Sequence, residues 1–228
     1  MKLKILPSVM AQNQEELDAL LKKLKKASQR LHLDIADGIF VPGISLNFPF
    51  RLSDDFKYEA HLMVANPEKR VGKIGTTASI DTVIFHFESL KSKPLKEVDA
   101  LFKRVKAKKK RVGIALKPET GVKEIKPFLE NILKTIDCIL VMTVHPGFYG
   151  SEYLKYPLEK IKQIKKVNPQ IEVIVDGGMK PETVGDAVKA GADGIVSGSF
   201  ITKSGNPARA IKKLEKAAKA ASHLQINI

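Results

Sequence analysis

Three segments place histidine and aspartate inside short apolar runs: LHLDIADG (31–38), EAHLMV (59–64) and IVDGGM (174–179). Residues i and i+2 of a β-strand share a face, so His32 projects with Asp34 and His61 with Met63, while Asp176 closes the third run. Two imidazoles and two carboxylates directed at one point would be costly to bury unpaired. They form an N/O donor set suited to a divalent cation. His86, in IFHFES (84–89), also falls on a strand pattern, where a supporting place behind the site and direct substrate contact fit its position equally well. Asp37, before Gly38, is read as a turn residue, and His223 as exposed in the C-terminal tail.

Glycine-rich turns supply a second signal. HPGFYG (145–150), DGG (176–178) and SGS (197–199) follow three successive apolar runs. Glycine lets the main chain come close to an anion, and backbone N–H groups with a helix N-terminus can then hold it. Any one of these turns is ordinary in a strand-to-helix connection. Three in succession, with the Ser199 hydroxyl beside them, indicate an anionic group on the substrate.

These residues need a scaffold that brings several strand ends together. Strand patterns occur at Leu3 to Leu6, ending at Pro7, then at 31–35, 58–64, 82–87, 111–116, 138–143, 171–175 and 194–197. Helical patterns lie between most of them. Asn13 and Glu16 make a capping pair for a first helix carrying Leu17, Leu20, Leu21 and Leu24, and further patterns cover 67–73, 94–108, 122–133, 153–167, 181–190 and 207–221. Residues 43–56 read mainly as loop. Eight alternations predict an α/β fold, a single-domain (β/α)8 TIM barrel over residues 1–228. An open doubly wound sheet fits less well, because its glycine-rich turn follows the first strand, whereas here the glycines follow the sixth, seventh and eighth.

Composition narrows the partners. The chain has 228 residues, 43% hydrophobic and 28% charged, with one cysteine, Cys138, read as core filler in a reducing compartment. Neither a membrane span nor a signal-peptide core is evident, so a cytoplasmic location is expected. Lys and Arg number 39 against 25 Asp and Glu, a net charge of +14. The basic residues sit at helical spacing in LKKLKKASQR (21–30), KRVKAKKKR (103–111) and IKQIKKVN (161–168), as solvated helix faces do. With 6% aromatics and no recognition motif, nucleic-acid binding is not expected, nor is membrane binding.

The chain resembles the ribulose-phosphate 3-epimerase family. The likeness is carried in order by ILPSVMA (5–11), HLDIADGIFVP (32–42), HLMVANPE (61–68), FHFES (85–89), GIALKPET (113–120), LVMTVHPGFYG (140–150), VDGGM (175–179) and AGADGIVSGS (190–199). It implies a (β/α)8 isomerase of the pentose phosphate pathway that acts on a phosphorylated ketose, D-ribulose 5-phosphate, and forms homo-oligomers. It further implies that His32, Asp34, His61 and Asp176 hold a divalent zinc, iron or manganese ion, with Asp34 and Asp176 as acid and base. Ser8, His61, Met63 and Met142 would contact substrate, and Gly147, Phe148, Tyr149, Gly150, Gly177, Gly178, Gly198 and Ser199 would grip its phosphate end.

The chain departs from the family pattern where Ala36 replaces a methionine and where His145, Tyr149 and Ser151 alter the loop over the substrate. The altered loop leaves another ketose phosphate, such as allulose 6-phosphate, as an alternative substrate, and makes His145 a candidate substrate contact. A decarboxylase or aldolase is disfavoured because no D-x-K-x-x-D stretch is present. A sugar-phosphate-binding barrel without turnover would not need two carboxylates facing an anionic ligand.

Overall fold

The computed structural model describes residues 3–132, 135–147 and 150–226, giving the backbone alone for residues 73, 129–132 and 223–226. Its eight long strands are β1 (Lys4–Val9), β2 (Arg30–Asp37), β3 (Lys57–Met63), β4 (Ile80–His86), β5 (Arg111–Leu116), β6 (Cys138–Met142), β7 (Glu172–Asp176) and β8 (Gly194–Ser197). Neighbours in sequence pair in parallel, and β1 pairs with both β2 and β8. The sheet therefore closes into the expected barrel, with no free edge.

Two one-turn helices, Phe87–Leu90 and Ser199–Thr202, follow β4 and β8. The longer helices lie outside. They are α1 (Gln14–Leu24), α2 (Glu68–Thr76), α3 (Leu95–Lys106), α4 (Val122–Ile132), α5 (Glu159–Val167), α6 (Val184–Ala190) and α7 (Pro207–Ile226). The capping pair before α1 forms as expected: Asn13 Oδ1 accepts from the Glu16 N–H at 2.9 Å, and Glu16 Oε2 accepts from the Gln12 N–H at 2.8 Å. Leu17, Leu21 and Leu24 then face inward, where they join the core between helices and sheet. Between β2 and β3 the chain runs as loop, except that Ile44–Ser45 pairs antiparallel with Ala36 and Asp37.

Several boundaries differ from those the sequence suggests, each for a local reason. The first strand passes through Pro7 to Val9. Residues 4–7 register against β8 and residues 8–9 against β2, so the proline falls where the strand changes partner and its missing N–H disrupts little. The helix expected over 153–167 begins only at Glu159, after a 3₁₀ turn at Tyr156–Leu158 that contains Pro157. The helix expected from Pro181 begins at Val184, and the last helix continues to Ile226. Leu133 lies outside the described residues, and so does the side chain of His223.

Inside the barrel, Leu6, Ile84, Leu140, Ile174 and Val196 form a buried apolar layer, with Cys138 buried beside it. The N-terminal end is closed by ions. Lys4 Nζ lies 2.7 Å from the Glu172 carboxylate, which also meets Arg111, and Arg30 pairs with Asp81 through both guanidinium nitrogens. This charged floor and the apolar layer fix the strands whose opposite ends build the site.

Candidate active site

Alternation along the strands and register between them bring the polar residues to one level. Asp34 of β2 pairs in register with His61 of β3, and Met142 of β6 pairs with Asp176 of β7. On β1, Ser8 stands opposite His32. Hydrogen-bond registry across a closed sheet thus does what local sequence cannot, placing residues from distant segments around one axis.

Among the described residues, His32, Asp34, His61 and Asp176 form one buried group whose donor atoms all lie within 4.8 Å of one another. His61 Nδ1 is 3.1 Å from Asp34 Oδ1 and 3.7 Å from Asp176 Oδ2, and His32 Nε2 is 3.5 Å from Asp34 Oδ1. Among the described residues both ring nitrogens of His32 are buried without a hydrogen-bond partner, although Glu59 Oε2 lies 3.6 Å from Nδ1. A buried imidazole left in this way is costly, and a cation at the centre of the group would give it a partner. The group can hold a metal ion.

Electrostatics separate the two carboxyls. Burial pushes Asp176 up to about 7, assisted by the neighbouring Asp34 charge and opposed by His32. Asp34 feels burial too, but the His61 hydrogen bond, the His32 and His61 rings and Ser8 hold it below the ordinary carboxylate range. In the metal-free protein one carboxyl therefore holds a proton more readily than the other, the arrangement an acid and base pair requires. Burial disfavours a charged His32, yet the Glu59, Asp34 and Asp176 charges raise it to about 9. His61 is pushed down to about 3 by burial and by the nearby His86 and His32 rings, against the pull of Asp34.

Above the group opens a cavity of about 590 Å³. Ser8, Met63 and Met142 line it beside the two aspartates; Gly147, Gly150, Gly177, Gly178, Gly198 and Ser199 line it toward the later strands. Phe148 and Tyr149 lie outside the described residues. His61 is fully buried beneath the cavity and is not among its lining residues. Gly177 has φ +117, and a Cβ there would come within 2.9 Å of the Val144 backbone nitrogen, so the DGG turn is packed directly on the turn after β6.

Other residues fall where sequence reasoning left them open or missed them. Asp37 is a turn residue, as expected: its carboxylate accepts from the Ile39, Phe40 and Ala65 N–H groups at 2.9, 2.9 and 2.8 Å. His145 is largely exposed and pairs with Glu119 at 2.8 Å, bridging the turns after β5 and β6. Lys180 and Lys203 line the cavity and were not anticipated, although each follows one of the glycine turns closely. Glu59 was also missed. Its only signal is its place two residues before His61 on the same strand face.

A family model described as the ribulose-phosphate 3 epimerase family matches residues 4–202. The chain is 34% identical over 218 residues to the ribulose-phosphate 3-epimerase, cytoplasmic isoform, of Oryza sativa subsp. japonica, covering 93% of each chain. It is 32% identical over 220 residues to the ribulose-phosphate 3-epimerase of Schizosaccharomyces pombe, covering 92% of each. In fold it is similar to KGPDC from Streptococcus mutans, at a TM-score of 0.71 and 13% identity, covering 97% of this chain and 99% of the other. The 3-hexulose-6-phosphate synthase of Salmonella typhimurium gives a TM-score of 0.65 at 15% identity, with 97% and 100% covered.

Proposed function

The chain belongs to the ribulose-phosphate 3-epimerase family and is an isomerase, and from that premise we propose that it interconverts D-ribulose 5-phosphate and D-xylulose 5-phosphate. One observation carries the reading: two carboxyls stand beside a two-histidine donor set at the bottom of a cavity lined by glycine turns, in surroundings that push their titrations apart. The single barrel over residues 1–228 serves as the catalytic domain.

Epimerisation at C3 removes a proton next to a carbonyl from one face and returns one to the other. Ionised Asp34 takes the proton in one direction, and protonated Asp176 delivers one to the opposite face; the roles exchange in reverse. His32, Asp34, His61 and Asp176 would hold a divalent cation, whose positive charge, when bound, opposes the negative charge developing on the sugar oxygens. Two nitrogens and two oxygens accept zinc, iron or manganese, and we favour no one of them. Ser8, Met63 and Met142 orient the reacting end of the sugar and shield it from water. The turns at Gly147 and Gly150, at Gly177 and Gly178, and at Gly198 and Ser199 hold its phosphate, with Lys180 and Lys203 adding positive charge.

By similarity to the family, the working protein is a homo-oligomer, and a cytoplasmic location follows the rice relative, which is named a cytoplasmic isoform. Among the described residues no helix is long and apolar enough to cross a membrane. The altered turn around His145 bears on substrate length, because Pro146, Gly147 and Gly150 of that turn line the cavity, while His145 itself turns to Glu119 and is not among the lining residues. Metal-loaded protein is expected to convert D-ribulose 5-phosphate with a kcat/KM at least about tenfold above that for allulose 6-phosphate, a margin of about 1.4 kcal/mol. A preference for the six-carbon sugar would reassign the substrate; turnover of neither would remove the reading.

A further inference from the structure

Behind the four donor residues runs a line of polar groups that the proton-transfer chemistry does not use. His61 Nε2 lies 2.9 Å from His86 Nε2, and His86 Nδ1 lies 3.0 Å from Glu88 Oε2. The other carboxylate oxygen, Glu88 Oε1, accepts from the Lys117 backbone N–H at 2.8 Å and from the Thr120 hydroxyl. His86 is fully buried and does not line the cavity, so it does not touch substrate there. Phe40 covers its ring at a centroid distance of 4.9 Å, with Lys117 Nζ 4.0 Å above the Phe40 ring. The line is thus closed off from the barrel mouth.

Resting on the metal site proposed above, we infer that Glu88 and His86 are positioning residues that set the tautomer of His61, leaving its Nδ1 lone pair free for the cation. An ionised carboxylate only accepts, so the His86 hydrogen must be on Nδ1, donating to Glu88. His86 Nε2 is then a lone pair and accepts from His61 Nε2–H. His61 Nδ1 lies 3.1 Å from Asp34 Oδ1, a contact that shares a hydrogen only while no cation is present; with Nε2–H committed to His86, a bound cation takes the place of that hydrogen and meets the Nδ1 lone pair within the donor group. Orientation follows as well as tautomer, because two rings tied end to end cannot rotate without breaking the line.

The inference makes Glu88→Gln an informative change. The Lys117 N–H can only donate, so the amide oxygen must face it and the NH₂ must face His86 Nδ1. His86 then accepts there and carries its hydrogen on Nε2, and His61 is forced to carry its own on Nδ1. Neither ring gains or loses a proton, yet the ligand atom is blocked.

The test uses the whole protein with zinc as a diamagnetic probe. Zinc affinity, measured by competition with a chelator, is expected to fall about 10–100-fold in Glu88→Gln. Nitrogen-15 spectra of histidine-labelled, zinc-loaded wild-type protein are expected to show hydrogen on His86 Nδ1 and on His61 Nε2. Undiminished affinity in the folded variant, or hydrogen on His86 Nε2 in the wild type, overturns the relay while leaving the metal site standing. Wild-type protein that binds no zinc overturns the metal site and the relay together. Should Glu88→Gln not fold, the wild-type spectrum decides alone.

Discussion

Asp176→Asn is expected to slow exchange of the substrate C3 hydrogen with solvent by about 10²–10⁴-fold without weakening the fold. A carboxamide is close in shape to a carboxyl and can still offer an oxygen, but it cannot take or give the proton. The expectation for stability follows from the same burial that tunes the group. The Asp176 carboxyl is held up at about 7, well above the ~3.9 of an unfolded chain, so in the metal-free protein its burial opposes folding progressively as pH rises from about 4 to about 7. A neutral side chain escapes that cost. Metal-free Asp176→Asn should therefore melt at pH 8 no lower than the wild type, while Asp34→Asn, which removes a carboxylate bonded to His61, should melt lower. Near-normal exchange in either variant would show that the two acids do not perform the transfer.

Removing the metal is expected to have an effect of similar size. Prolonged chelation should abolish turnover, and added zinc, iron(II) or manganese(II) should restore it. His32→Ala should lower zinc affinity by more than the ~100-fold typical of losing a residue that only supports a ligand. His32 is the informative position because, among the described residues, its ring nitrogens have no partner within hydrogen-bond distance, so the change removes a donor without breaking such a bond. Full activity in exhaustively chelated protein would remove the metal ion from the account.

The sequence carried the fold because each barrel unit announces itself locally, through an apolar run, a turn and an amphipathic helix. It carried the four donor residues because alternation exposes them: His32 and Asp34 two apart, His61 before Met63, Asp176 at the end of its run. What stayed hidden depends on contacts between strands. The floor ions join residues far apart, such as Lys4 with Glu172 and Arg111 with the same carboxylate, and no spacing rule links them. Glu59 was hidden for a related reason, because its meaning comes from His32 on the adjacent strand. His86 could be assigned to a strand but not to a task, since its partners His61 and Glu88 lie on either side of it, one on another strand and one in the short helix that follows. Proline misled in two directions: Pro7 is tolerated within a strand, while Pro157 sits in the 3₁₀ turn that delays the helix start.

The most direct measurement is deuterium wash-in. Zinc- or manganese-loaded protein incubated with D-ribulose 5-phosphate in deuterated water should incorporate a single deuterium at C3, in both the remaining substrate and the D-xylulose 5-phosphate formed. Folded, metal-loaded protein that leaves C3 protiated in both sugars would contradict the two-carboxyl mechanism at its root.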